Sequence, residues 1–586
     1  MTAAQSMQPP LLGVDASVTG RRWRGPAPAE ERRALAIAQG TGLPEIVAGI
    51  LARAGVPPAE AAAYLAPTLR ELMPDPSSLR DMDKAAERIW RAARGRERIA
   101  IFADYDVDGG ASAALLIHWL HELGHRATLY VPDRITEGYG PNIPAMHRLG
   151  TAHDLIICVD CGTLAHEALA AASCDVVVLD HHQGGETLPP ALAVVNPNRQ
   201  DEDSELRHLC AAGITFMALV AANRIARAEG AKTPPLLGLL DLVALATIAD
   251  VAPLTGLNRA FVRQGLVTMQ GGVRPGLAAL AAEAGMKRAP DPYALGFVLG
   301  PRINAGGRIG AADLGARLLA TRDPHEAAAL AGRLHGLNAD RRTIEAEVLA
   351  AAEAQAGARG DGALVWAAGI GWHPGVVGIV AARLKEAFGR PAVVIGLDGE
   401  TGKGSGRSVP GVDLGAAIAR LAREGLITGG GGHHMAAGLS LRRDQIEPAM
   451  ERLDALLAKA GAGGGVAEEL RIDGLIAPGA ATPALADSIA EAGPFGAGAP
   501  APRLVMARAR ILSTRRVGAD HLALTLGDES GARAEAIAFR AFSGPLGPWL
   551  EARRGAPAHL AGRLERDDWG GRARAKLHLE DAAAAD

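Results

Sequence analysis

Apolar residues in this chain fall into short continuous runs separated by longer amphipathic stretches. From about Ala86 onward that pattern predicts alternating strands and helices. Residues 99–103, 128–131, 155–159, 176–179 and 193–195 are apolar nearly throughout, as strands buried on both faces are. Residues 111–123 read as a helix, and helical stretches separate several of the strands. The expectation is an α/β fold, a parallel sheet with helices on both faces.

Residues 236–250 form a strongly apolar helix. Residues 311–356 read as mostly helical, Ala-rich and charged on one side (Arg333, Asp340, Arg341, Arg342, Glu345), a connecting helix between two lobes. A second, smaller α/β unit follows, with strands at 364–367 and 392–395 around a helix at 375–388. The glycine tract 429–432 interrupts it before a final run at 435–441. The glycine run 461–465 reads as a linker. Beyond it, residues 508–512, 522–526 and 534–538 are strand-like, with no long helix before Phe542, which suits a small OB-fold-like β-barrel. Residues 1–85 are Pro- and Arg-rich with short helical patches such as 43–54. The expected division is therefore 1–85 accessory segment, 86–310 first lobe, 311–356 connecting helix, 357–460 second lobe and 466–586 barrel.

Composition narrows this picture only a little. A chain of 586 residues has room for three or four domains of roughly 100–200 residues each. Its net charge of −4 means that a nucleic-acid partner would need a local basic track, because affinity for phosphates depends on the Lys and Arg that reach them. Residues 1–12 lack a basic stretch followed by an apolar core, and the apolar run 236–249 is broken by Asp241 and too short to span a bilayer. Four cysteines make no disulfide framework in so long a chain. Cys158 and Cys161 form a CxxC pair, but it closes a strand and has no second pair to complete a zinc site. It reads as a core cysteine plus a turn cysteine. Gly402-Lys403 is followed by Gly404, so no phosphate-binding P-loop is present. A soluble cytoplasmic protein without a membrane partner is the expectation.

The chemistry concentrates at strand ends. Asp104-Tyr105-Asp106-Val107-Asp108-Gly109 lies where a strand gives way to a helix, and in open α/β sheets ligands bind beyond the carboxyl ends of the strands. Three such carboxylates either cap and turn the backbone or converge on a cation that cancels their repulsion. Asp160 follows the strand 155–159, and Asp180-His181-His182 follows 176–179. Asp250 ends the apolar helix, a costly place for a carboxylate without a partner. Oxygen ligands with one or two imidazoles favour Mn²⁺ or Mg²⁺ over structural zinc. The number of carboxylates suits two ions flanking a phosphoryl group, the arrangement used for phosphodiester hydrolysis.

These residues resemble the DHH phosphoesterase family, named for the triplet present here as Asp180-His181-His182. Within it the chain is similar to the RecJ branch of exonucleases, from roughly residue 80 to the C-terminus, including the second-lobe motif from Gly429 through His433-His434 to Gly438. The resemblance implies a catalytic DHH domain, a DHHA1 domain and an OB-fold-like domain. It implies Asp104, Asp106, Asp108, Asp160, His181 and Asp250 as ligands of Mn²⁺ or Mg²⁺, with catalysis by Asp106, Asp108, Asp160, His181 and neighbouring His182. It further implies that Arg302, Asn304 and Arg308 face the scissile backbone and that Arg134, Ser405 and Arg407 hold a 5′ end. His433 and His434 are implied as further substrate contacts. The implied activity is 5′-to-3′ hydrolysis of single-stranded DNA to 5′-mononucleotides in repair and recombination, with a single-strand-binding protein and a helicase as helpers. Two departures stand beside the site: Gly110-Ala111-Ser112, where a Thr is expected before the Ser, and Gly306, where Ala is commoner.

Two other readings share these motifs. A relative acting on cyclic dinucleotides, short oligonucleotides or pyrophosphate would carry the same carboxylates, but would not need the third module or the arginine-rich segments. Barrel aromatics able to stack on bases are few: Phe495, Phe539, Phe542, Trp549 and Trp569. A non-catalytic DNA-binding relative would be expected to have lost ligand residues, and none is lost here.

Overall fold

A computed structural model describes residues 8–272, 274–462, 468–568 and 572–585. Trp569 and most of the glycine run at 461–465 lie outside the described residues. The chain divides into two compact units.

The larger unit comprises residues 73–252 and 261–465. Its first sheet is fully parallel, in the order Thr128–Tyr130, Ile99–Ala103, Leu155–Val159, Asp175–Leu179, Ala193–Val195. Every residue of Ile99–Ala103 and Leu155–Val159 is buried, which is why these strands read as unbroken apolar runs rather than alternating ones. Numbered along the chain the order is 2-1-3-4-5. It reverses direction between Ile99–Ala103 and Leu155–Val159, which creates a crevice at their carboxyl ends. Ala103 pairs with Val159, Val159 with Leu179, and Leu179 with Val195. Asp104, Asp160, Asp180 and Asn196 therefore stand level at one edge of the sheet.

The connecting segment is two helices, Leu314–Ala320 and Pro324–Arg359, rather than one over 311–356. Asp323 caps the second by accepting from His325 N at 2.8 Å, with Pro324 in its first turn. At 36 residues it spans about 54 Å.

The second sheet runs Gly429–His433, Ala436–Arg442, Thr401–Arg407, Ala392–Asp398, Val365–Ile370, and only the last two strands pair in parallel. Two of these strands carry no β signal in the sequence. The glycine tract read as an interruption is the edge strand Gly429–His433, and TGKGSGR is the central strand Thr401–Arg407. A Cβ at Gly404 would lie 3.0 Å from Leu439 Cδ2 and at Gly406 2.7 Å from Leu414 Cδ2, so the neighbours fill the space that side chains would need.

The smaller unit comprises residues up to 72, 253–260 and 466 onward. Residues 8–72 are thus not a separate accessory segment. Val47, Ile50 and Leu51 of the helix Glu45–Arg53 share one core with Leu504, Ile511, Leu524 and Leu560 of the barrel. Five strands close the barrel in the order Leu504–Val517, His521–Gly527, Arg533–Ala538, Arg574–Ala584, Pro557–Asp567, the last pairing back onto the first. The single parallel pairing, Arg533–Ala538 with Arg574–Ala584, completes OB-fold topology. Trp23, fully buried, donates from Nε1 to Asp581 Oδ2 at 2.9 Å and ties the N-terminal strand to this unit. Among the described residues no single helix is long and apolar enough to cross a membrane.

Candidate metal centre

The crevice at the switch point gathers the carboxylates. Asp106 caps the helix Val107–Glu122, its Oδ1 accepting from Asp108 N at 2.8 Å and Gly109 N at 3.1 Å. That turn is tight enough that a Cβ on Gly109 would sit 2.5 Å from Asp104 O. Asp108 points from the first turn onto the N-terminus of the helix Ala211–Ala228, accepting from Ala211 N at 2.6 Å and Ala212 N at 2.8 Å. Asp160 leaves its strand with φ +60°, a left-handed conformation that Asp tolerates better than most residues. Asp250 is the C-cap of the helix Leu240–Ala249.

Three groups of possible ligands result, with donor atoms inside each group within 4.8 Å of one another: Asp104, Asp106 and Asp160; Asp108, His181 and Asp250; Asp160, His181 and His182. The first two share no residue, and together they contain the six side chains that the resemblance implied as ligands. His181 Nε2 lies 3.3 Å from Asp160 Oδ1, 3.8 Å from Asp108 Oδ2 and 3.9 Å from Asp250 Oδ2.

Electrostatically the cluster holds more carboxylates than the neighbouring histidines balance. Burial, followed by the charges of neighbouring aspartates, pushes Asp104 and Asp160 well above the usual carboxylate range. The same causes lift Asp250 to about 8. Asp104 Oδ1 and Asp160 Oδ1 are buried with no hydrogen-bond partner. Buried, crowded and unpartnered oxygens beside an imidazole are the donor set that a pair of hard divalent cations would satisfy.

Asp180 behaves differently. Its Oδ1 accepts from His181 N (2.8 Å) and pairs with His182 Nδ1 (2.8 Å), and its Oδ2 accepts from Thr163 N at 3.0 Å. Burial alone would raise its pKa, yet His182 and Thr163 hold it well below the carboxylate range. Burial likewise works against a charge on His182, but the Asp180 carboxylate lifts that imidazole to about 9. Asp180 therefore acts as a clasp that orients both histidines. Tyr139 completes this side, donating to Asp160 O at 3.0 Å with its ring edge-on to His182. Sequence reading missed Tyr139, whose only signal is an aromatic residue within a Gly- and Pro-rich loop.

Arg134 and Ile135 of the first lobe and Pro374, Val377, Lys403 and Ser405 of the second line a basic cavity of about 300 Å³, with glycines of the second sheet around them. Arg407 Nη1 donates to Ser405 Oγ at 3.1 Å and Gly406 O at 2.8 Å. Arg308 Nη1 donates to Gly375 O at 3.3 Å. The guanidinium hydrogen bonds of Arg308 and Arg407 thus go to neutral oxygens. Burial and then the charge of Arg134 push Arg308 down to about 10, and the same two causes lower Arg407. An anion placed among the three would relieve that repulsion.

The remaining residues expected to meet substrate divide into two groups. Asn304 Oδ1 accepts from Val107 N at 3.1 Å, docking the helix Gly300–Ile309 against the aspartate turn. Arg302, on that helix, donates to Val298 O in the preceding turn at 2.7 Å. His433, exposed, ends the glycine strand and His434, also exposed, opens the turn after it, with His434 Nδ1 3.0 Å from Asp413. The cysteines carry no such chemistry: Cys158 and Cys161 are fully buried, and burial pushes both thiols up.

Comparison with known proteins follows the same division. Residues 98–247 match the N-terminal domain of the DHH family, 360–459 the DHHA1 domain and 472–581 the RecJ OB domain. The single-stranded-DNA-specific exonuclease RecJ of Bacillus subtilis (strain 168) is 32% identical over 551 residues, covering 92% of this chain and 68% of that protein. The Escherichia coli (strain K12) exonuclease of the same name is 37% identical over 409 residues, covering 65% of this chain and 70% of that protein. The crystal structure of RecJ with Mn²⁺ from Thermus thermophilus superposes with a TM-score of 0.79 at 30% identity, covering 96% of this chain and 79% of that one.

Proposed function

The chain belongs to the RecJ family of single-stranded-DNA-specific exonucleases, and we propose that it removes 5′-mononucleotides from the 5′ end of single-stranded DNA, using Mn²⁺ or Mg²⁺, in DNA repair and recombination. The observation that carries this reading is the convergence of Asp104, Asp106, Asp108, Asp160, His181 and Asp250 in one crevice, with buried carboxylate oxygens left unpartnered. Asp104, Asp106 and Asp160 would hold one ion, and Asp108, His181 and Asp250 the second. When bound, such a pair supplies positive charge to the attacked phosphate and lowers the pKa of water.

The side chains do the rest. Asp106 and Asp108 fix the aspartate turn through backbone amides, so the ligand geometry is preorganised. His182, paired with Asp180 at 2.8 Å, would present a proton beside the cluster, where a departing 3′ oxygen would need it. Arg134, Ser405 and Arg407 would take the 5′ phosphate, which sets polarity by seating the strand end before cleavage. The OB-fold domain supports a polymeric substrate over a dinucleotide. Helper proteins such as a helicase or a single-strand-binding protein, and a cytoplasmic setting, belong to the same proposal.

The test is digestion of end-labelled single-stranded and duplex DNA with Mn²⁺. The expected result is mononucleotide release from the 5′ end of the single strand, with the duplex left intact, and no release by Asp160→Asn. Release from the 3′ end, equal use of duplex, or activity confined to dinucleotides would overturn it.

A further inference from the structure

The strand Ala193–Val195 is the edge strand of the first sheet, and the turn after it packs against the segment that carries both histidines. Asp180 N donates to Val195 O at 3.1 Å, so Asn196 emerges beside the triplet Asp180-His181-His182. The approach is close. A Cβ on Gly184 would lie 3.1 Å from Arg199 Cα and 3.2 Å from Asn198 O.

Asn196 is fully buried, and both ends of its amide are engaged. Its Nδ2 donates to His182 O at 2.8 Å and to Thr163 Oγ1 at 2.8 Å, while its Oδ1 accepts from Asn198 N at 2.7 Å. Asn198 Nδ2 in turn donates to His181 O at 2.6 Å. Each histidine carbonyl is thus held by one asparagine, and the first asparagine fixes the second. A carbonyl oxygen only accepts, so the amide nitrogen has to face it, and neither an ionised Asp nor an apolar residue supplies that donor.

Thr163 extends the hold to another part of the site. It follows Asp160-Cys161-Gly162, and its N donates to Asp180 Oδ2 at 3.0 Å. In that turn Asp160 has φ +60° and Gly162 φ +116°. A backbone of this kind persists where its surroundings over-determine it. One buried amide therefore ties the turn carrying Asp160 to the turn carrying both histidines.

We propose that Asn196 and Asn198 are positioning residues that preset the backbone of the His181-His182 pair and of the Asp160 turn, so that the ligand side chains are aimed before a divalent ion arrives. This rests on the metal-centre reading above. With both histidine carbonyls fixed, His181 meets Asp160, Asp108 and Asp250 by side-chain torsion alone. Crowded carboxylates repel one another, and a backbone held from outside keeps them from relaxing apart. The basic cavity is lined by other residues, so capture of a 5′ end does not depend on the two asparagines.

The test titrates Mn²⁺ into the metal-free full chain by calorimetry, with urea denaturation in chelator alongside. Asn196→Leu, apolar and of similar volume, and Asn198→Ala, at a half-buried position, should each bind Mn²⁺ about 10–100-fold more weakly than wild type. Asn198→Gln, which keeps the donor, should recover most of that affinity. At saturating Mn²⁺ both weakened variants should keep the wild-type KM for 5′-phosphorylated single strands while kcat falls. A purely structural role would lower stability in chelator and leave Mn²⁺ affinity at the wild-type value, and that result would overturn the proposal. So would an Asn198→Gln variant as weak as Asn198→Ala. Should Asn196→Leu not fold, the two Asn198 variants decide. A wild-type chain that binds no Mn²⁺ would defeat the metal-centre reading itself.

Discussion

Two adjacent glycines in the helix Gly300–Ile309 give a sharp test of how closely that helix must approach the aspartate turn. Both are buried, and either one changed to Ala gains roughly 1 kcal/mol of helix propensity. Their surroundings differ. A Cβ on Gly306 would meet Leu334 Cδ2 at 3.1 Å and Leu314 Cβ at 3.3 Å, the nearest contact being the end of a flexible side chain. A Cβ on Gly307 would meet Tyr105 O at 2.7 Å and Tyr105 Cβ at 2.9 Å, atoms fixed in the loop between Asp104 and Asp106. Gly306→Ala should therefore be neutral or slightly stabilising, with unchanged activity. Gly307→Ala should lose about 1–3 kcal/mol to overpacking, partly offset by propensity. Because relief requires the helix to back away from Asp106 and Val107, its kcat should fall by about 10²-fold, the usual cost of a shift near 1 Å at a catalytic centre. Urea denaturation and Mn²⁺-dependent release of nucleotides from single-stranded DNA measure the two effects. Equal behaviour of the two variants, or a fully active Gly307→Ala, would refute the close-approach argument.

Three further outcomes are expected. Asp160→Asn, which keeps a residue type that tolerates positive φ, should abolish nuclease activity, yet stabilise the metal-free protein by about 1–3 kcal/mol, because a buried acid crowded by neighbouring aspartates is replaced by a neutral amide; denaturation in chelator checks the sign. Arg407→Ala should raise KM for 5′-phosphorylated strands roughly tenfold or more, with Mn²⁺ affinity unchanged by calorimetry. His118, whose Nε2 lies 2.6 Å from Arg274 Nη1, is held down to about 4 by burial and then by that guanidinium. A depressed folded pKa means stability is full above pH 6.5 and lost as pH falls toward 4, by roughly 3 kcal/mol at most. His118→Gln should flatten that acid limb in denaturation curves collected between pH 7 and 4.5.

What the sequence determined by itself was whatever depends on local pattern. Strands buried on both faces, such as Leu155–Val159, announce themselves as apolar runs, and aspartates placed just past those runs had to emerge at one edge of a parallel sheet. The proposed ligand residue types likewise follow from chemistry that needs oxygen donors beside an imidazole. Only the tertiary structure decided what depends on partners distant in sequence. Thr401–Arg407 and Gly429–His433 are strands because flanking strands hold them, glycine having no β preference of its own. Residues 8–72 join the barrel's unit because their apolar helix faces find cover in its core. Asp180 differs from Asp160 in role through hydrogen bonds to Thr163 and His182, which a linear reading does not distinguish. Local propensity is written in neighbouring residues, whereas burial, hydrogen-bond satisfaction and charge balance are properties of groups that meet only once the chain has folded.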